Sequence, residues 1–109
     1  MELLTRQTIV GTYQVLHLSG EVDLATLPRL SDALTRLVAS ATGPAVVDLD
    51  GLSILDDTGL GLLLGAAGRA RQGGTELVVV CSAPTVRSRL SLTGFDRAVR
   101  VTESISAIG

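Results

Sequence analysis

Residues 45–65, AVVDLDGLSILDDTGLGLLLG, constrain the fold more than any other part of the chain. Val46, Val47 and Leu49 read as an apolar strand, a short loop follows, and a Leu-rich helical pattern begins at the polar cluster Asp56-Asp57-Thr58. A buried strand feeding a helix is the repeating half of an α/β architecture. The helix start also points unpaired backbone N–H groups outward, so the Thr58 hydroxyl stands where recognition or chemistry is readily built.

The flanking sequence repeats the pattern. Residues 3–10 and 13–19 read as two antiparallel strands joined by a turn at Gly11-Thr12. Residues 20–23 read as a loop. Thr26 is placed to cap a helix that carries Pro28 in its first turn and Leu27, Leu30, Leu34, Leu37 and Val38 on one face, ending between Ala39 and Gly43. Strand 45–49 leads to a helix over about 58–71, with Leu60, Leu63, Leu64 and Ala67 on its inner face. Gly61, Gly65 and Gly68 interrupt that helix, each at a cost of about 0.5–1 kcal/mol relative to Ala, which points to close packing or a closely approaching partner. Strand 75–81 is apolar on both faces, as in a central parallel strand. A helix from Ser82 and Pro84 to Gly94, a strand 97–101 and a helical tail 103–108 complete the order β β α β α β α β α. Right-handed crossovers then imply a single domain over residues 1–109: a mostly parallel mixed sheet with an antiparallel N-terminal edge, covered by about four helices.

Composition narrows the functions available. Hydrophobic residues make up 46% of the chain, but Tyr13 and Phe95 are the only aromatics, so the core is built from Leu, Val, Ile and Ala. A net charge of −2 with nine scattered Arg and no Lys argues against nucleic-acid binding, which needs a basic stripe. One cysteine, Cys81, excludes an intrachain disulfide and fits a reducing compartment. The longest uncharged apolar run, Gly59–Gly68, is about half of the roughly 20 residues that span a bilayer, and the N-terminus shows no secretory pattern. A cytoplasmic protein without membrane, metal or cofactor is the expectation.

Catalytic readings find little support. Asp48, Asp50, Asp56 and Asp57 resemble the acidic pocket of a two-component receiver, but such receivers use a lysine that this chain lacks. Adjacent carboxylates in a loop are more often caps or solvated surface than acid/base pairs. GLGLLLG fails the dinucleotide fingerprint at Leu64. His17, the only histidine, lies within a strand, so no Ser/His/Asp set is expected, and Cys81 reads as an inert buried thiol. At the helix start, any of Asp56, Asp57 and Thr58 could serve as the cap and complement the dipole.

The stretch GLSILDDTGLGLLLG, residues 51–65, resembles the signature of STAS-domain anti-sigma-factor antagonists. Ser19–Thr26 is similar to the family's loop after its second strand, and Leu92–Asp96 to its motif before the last strand. The resemblance implies a partner switch. An unphosphorylated antagonist binds an anti-sigma factor, usually a serine/threonine kinase with a histidine-kinase-like ATPase fold, and so frees a sigma factor; phosphorylation ends the binding. It assigns the phosphoacceptor to Thr58, the preceding aspartate to Asp56, the acidic residue of the neighbouring loop to Asp23, and the partner-facing helix start to Gly59, Leu60 and Gly61. Asp57 joins that partner-facing set where a small uncharged residue is common, and Thr58 stands where serine is frequent. Asp57 therefore either mimics part of a phosphate charge or is matched by a basic residue on the partner. A constitutive STAS interaction module, with Thr58 only a cap, is the alternative.

Overall fold

The computed structural model describes residues 2–108. One five-stranded sheet runs in the order β1-β2-β3-β4-β5, with β1 (Leu3–Val10) antiparallel to β2 (Tyr13–Val22) and β3 (Ala45–Leu55), β4 (Leu77–Val80) and β5 (Arg100–Thr102) parallel to it. The chain advances across the sheet in one direction. Successive right-handed crossovers therefore place α1 (Leu27–Ser40), α2 (Asp57–Gln72), α3 (Pro84–Leu92) and α4 (Phe95–Ala98) on a single face.

Alternation along the strands supplies that face with Leu16, Leu18, Ala45, Val47, Leu49, Leu77 and Val79, which meet Leu30, Leu34, Leu37, Leu63, Ala66, Ala67 and Leu90 in the main core. The opposite face is much thinner. Val15, Val46, Val78 and Val80 are covered there by Tyr13 and by Ile105 and Ile108 of a 3-10 turn, Ile105–Ile108.

Several elements differ from expectation. The tail expected as an α-helix is this 3-10 turn, and the fourth helix is instead α4, which takes the first half of the strand expected at 97–101. Leu64 is 42% exposed, because the buried stripe of α2 runs through Gly59, Leu60, Leu63, Ala66, Ala67 and Ala70. Thr26 is buried at the N-cap position but caps nothing; its hydroxyl donates to the Glu21 carbonyl.

The largest difference concerns β2 and β3. Both continue beyond β4, which pairs only with Ala45–Asp48, and run on together as a two-stranded ribbon to Val22 and Leu55. Two register shifts mark this ribbon. Gly51 allows it, since a Cβ there would lie 2.6 Å from the Leu18 carbonyl oxygen.

The ribbon end receives α2 at Gly59, where a Cβ would fall 2.4 Å from a Val22 methyl and 3.0 Å from a Leu55 methyl. Gly61 and Gly68 face open space, so internal packing does not account for them. Gly59→Ala is accordingly expected to destabilise the protein by about 1–3 kcal/mol through overpacking. Gly68→Ala should stabilise it by about 0.5–1 kcal/mol through helix propensity. Urea midpoints of the two variants moving in opposite directions would verify this; midpoints moving together would contradict it.

Candidate functional site

The ribbon delivers two chain ends side by side. Val22 pairs with Leu55, and the Asp56 N–H donates to the Val22 carbonyl, so the loop that starts at Asp23 begins next to the start of α2. Asp23 folds its own loop: its carboxylate accepts from the Ala25 and Thr26 N–H groups, and its N–H donates to the Thr26 hydroxyl. The structure thus brings the Asp23 loop next to the start of α2, where Asp56, Asp57 and Thr58 lie.

Among the three capping candidates, Asp56 is the cap. Its Oδ1 accepts from the Gly59 N–H at 3.0 Å and from the Thr58 hydroxyl at 2.6 Å. These donors, the Thr58 hydroxyl first, hold the Asp56 carboxyl below its ordinary pKa, with a smaller contribution from Arg89. Thr58 itself lies inside the first turn, exposed, and caps nothing. Its hydroxyl is oriented by Asp56 and open to solvent.

Asp57 has a partner that the sequence reading missed. Arg89, on α3, donates from Nη2 to the Asp57 Oδ1 at 2.5 Å. The basic residue matching Asp57 is therefore supplied within the chain. No sequence signal announced it, since the two residues are 32 positions apart and meet only through the tertiary fold. Between α2, the Thr93-Gly94 turn and α4 lies an open recess of about 470 Å³ lined by Asp57, Leu60, Gly61, Leu64, Thr93, Gly94, Phe95 and Ala98. Gly59 and Leu60, expected at the partner-facing helix start, are instead buried in the inner stripe of α2, whereas Gly61 is exposed and Leu24, Ile54, Leu64 and Leu92 are exposed apolar side chains.

The other carboxylates are committed locally. Asp50 accepts from the N–H groups of Ser82 and Ala83 and from the Ser82 hydroxyl, ahead of α3. Asp48 is 2.9 Å from His17 Nδ1, and Thr8 Oγ1 is 2.9 Å from the other ring nitrogen. This hydroxyl–imidazole–carboxylate chain, which the sequence reading did not expect, arises because β1, β2 and β3 align Thr8, His17 and Asp48 on the sheet face away from the helices. Among the described residues no group of three or more His, Cys, Asp or Glu could hold a metal, and no helix is long and apolar enough to cross a membrane. Cys81 is buried, and burial raises its thiol pKa.

Because its folded pKa is lowered, ionised Asp56 stabilises the fold above its ordinary value of 3.8, and this contribution is lost as pH falls through the lower folded value. Thr58→Val removes the first cause of the shift. A carboxyl-carbon NMR titration should then show the Asp56 pKa returning toward 3.8; an unchanged titration would contradict the assigned hydrogen bond.

Comparison with known proteins gives this geometry a context. A profile of the STAS domain matches residues 4–108. An anti-sigma-B factor antagonist of Staphylococcus aureus is 28% identical over 103 residues, covering 94% of this chain and 95% of the relative. The crystal structure of an anti-sigma factor antagonist from Mycobacterium paratuberculosis superposes with a TM-score of 0.88 at 26% identity, covering 97% of this chain and 90% of that one. The Bacillus cell fate determinant SpoIIAA, solved in its phosphorylated form, shares the fold with a TM-score of 0.69 at 20% identity, covering 96% of each chain. With the profile spanning nearly the whole chain and the sheet order matching, this protein belongs to the STAS domain family, alongside anti-sigma factor antagonists.

Proposed function

We propose that this protein is an anti-sigma factor antagonist switched by phosphorylation of Thr58. The unphosphorylated form binds an anti-sigma factor of the serine/threonine kinase type, with a histidine-kinase-like ATPase fold, in the cytoplasm and so releases a sigma factor. Asp23, Asp56, Asp57 and Gly61 form the partner-facing surface around Thr58, and the buried Gly59 and Leu60 support it from beneath. The observation that carries this reading is the exposed Thr58 hydroxyl, released from capping by Asp56 and held by it at 2.6 Å. The names of the full-length relatives support the same reading.

The geometry suits phosphoryl transfer. Thr58 Oγ1 attacks the γ-phosphorus of the ATP held by the kinase, the bond to the β–γ bridging oxygen breaks, and ADP leaves. Asp56 Oδ1 already accepts the hydroxyl hydrogen bond and takes the proton as the new O–P bond forms. The product carries about −1.5 to −2 extra charges at neutral pH. The α2 dipole favours such a group by about 0.3–1 kcal/mol, so the fold tolerates it. A partner that desolvates a neutral hydroxyl would instead have to bury a charge at a cost of several kcal/mol, enough to end tight binding.

Gly61 belongs to this surface. It opens on the recess beside α2 with no internal neighbour for a Cβ, so an approaching partner accounts for it where internal packing does not.

Incubation with an ATPase-type anti-sigma kinase and ATP should place one phosphate on Thr58, read by intact mass and peptide mapping. Thr58→Ala should accept none while still binding the kinase. Phosphate that persists in Thr58→Ala would overturn the assignment. Gly61→Val should leave the fold intact and weaken kinase binding by about tenfold or more, a loss of roughly 1.4 kcal/mol by calorimetry; undiminished affinity would remove Gly61 from the surface.

A further inference from the structure

Phosphorylation would leave the start of α2 with more negative charge than it can disperse. Asp56 and Asp57 already stand there, and the described ion pairs bring one cation to them, Arg89; the others join Arg87 to Glu103, Arg100 to Glu76 and His17 to Asp48. Conversion of the Thr58 hydroxyl into a phosphate ester also removes the O–H that Asp56 Oδ1 accepts. The Asp56 carboxylate would then face the phosphate while still accepting from the Gly59 N–H.

The Arg89 guanidinium is under-used. It spends Nη2 on the Asp57 Oδ1, while its Nε is sequestered with no hydrogen-bond partner. Its side chain is 40% exposed, and Asp57, at 83%, is more exposed still, so the pair lies at the surface and its geometry is free to change. A phosphate dianion offers three acceptor oxygens and a higher charge than a carboxylate, and a planar guanidinium binds it through two parallel N–H donors.

We propose that Arg89 is the intramolecular receiver of a phosphoryl group on Thr58: it leaves Asp57, pairs with the phosphate, and leaves the Asp57 carboxylate unpaired. The inference rests on the reading of Thr58 as the phosphoacceptor. Its consequence is a redistribution of the added charge. Before modification Arg89 offsets the Asp57 carboxylate. Afterwards Arg89 offsets part of the phosphate charge instead, so the surface presents negative charge at both residues 57 and 58. The Arg89 contact with Asp57 thus explains how an acidic residue beside Thr58 is compatible with binding in the unmodified state.

The test installs phosphothreonine at position 58 during synthesis of the full chain and follows its second ionisation by phosphorus NMR. In the parent, that ionisation should lie about 0.2–0.7 pH unit below its position in Arg89→Gln, the range set by an exposed charge pair. The difference should shrink at about 1 M salt, where the screening length falls to about 3 Å. In the unsubstituted protein, the Arg89 side-chain N–H signals should also move when threonine becomes phosphothreonine. Identical phosphate titrations in the parent and Arg89→Gln, or Arg89 signals that do not move, would overturn the proposal. No kinase enters this measurement, so its failure leaves the antagonist reading standing. Absence of enzymatic phosphate on Thr58 would sink that reading and leave the titration result in place.

Discussion

The parallel pairing of β2 with β3 beyond the rest of the sheet is the constraint on which the site depends. Without the ribbon that ends at Val22 and Leu55, the Asp23 loop and the start of α2 would have no common anchor. Gly59 completes the arrangement, because only a residue without a side chain lets the first turn of α2 sit against Val22 and Leu55. The backbone of Asp56 is thereby fixed to β2 while its carboxylate is left to organise the helix start. Thr58 is positioned by rigid elements on both sides yet has no packing duty of its own.

That division of labour separates stability from recognition. The main core is aliphatic apart from Phe95 and Cys81 and lies between the sheet and its single helical layer, beneath the Thr58 surface. Charge at the helix start is managed by local hydrogen bonds and by one surface ion pair, each of modest worth in water. Adding or removing a charge there changes what a partner must desolvate far more than it changes the folding free energy. A surface of this kind can be switched without remodelling the domain beneath it.

Much of this was legible in the sequence. Apolar periodicity gave the order of strands and helices as far as α3, and the glycine and acidic pattern of residues 51–65 located the start of α2. The ribbon was not legible, because Gly20, Gly51 and the exposed Ser53 and Ile54 break the alternation that marks a strand, although Val22, Leu52 and Leu55 reach the core. Leu64 was assigned inward because helical spacing alone does not say where a buried stripe is centred; the contact at Gly59 rotates α2 and sets it. Arg89 beside Asp57, and His17 between Thr8 and Asp48, depend on packing and register between distant segments, so no local pattern encodes them.

The central claim is that the charge state of residue 58 decides whether this surface is bound. Calorimetric titration of an ATPase-type anti-sigma kinase with the unmodified protein and with the chain carrying phosphothreonine at position 58 tests it most directly. The account predicts affinity at least about a hundredfold weaker for the phosphorylated chain, a difference of about 2.7 kcal/mol or more. Equal affinity for the two forms would contradict it.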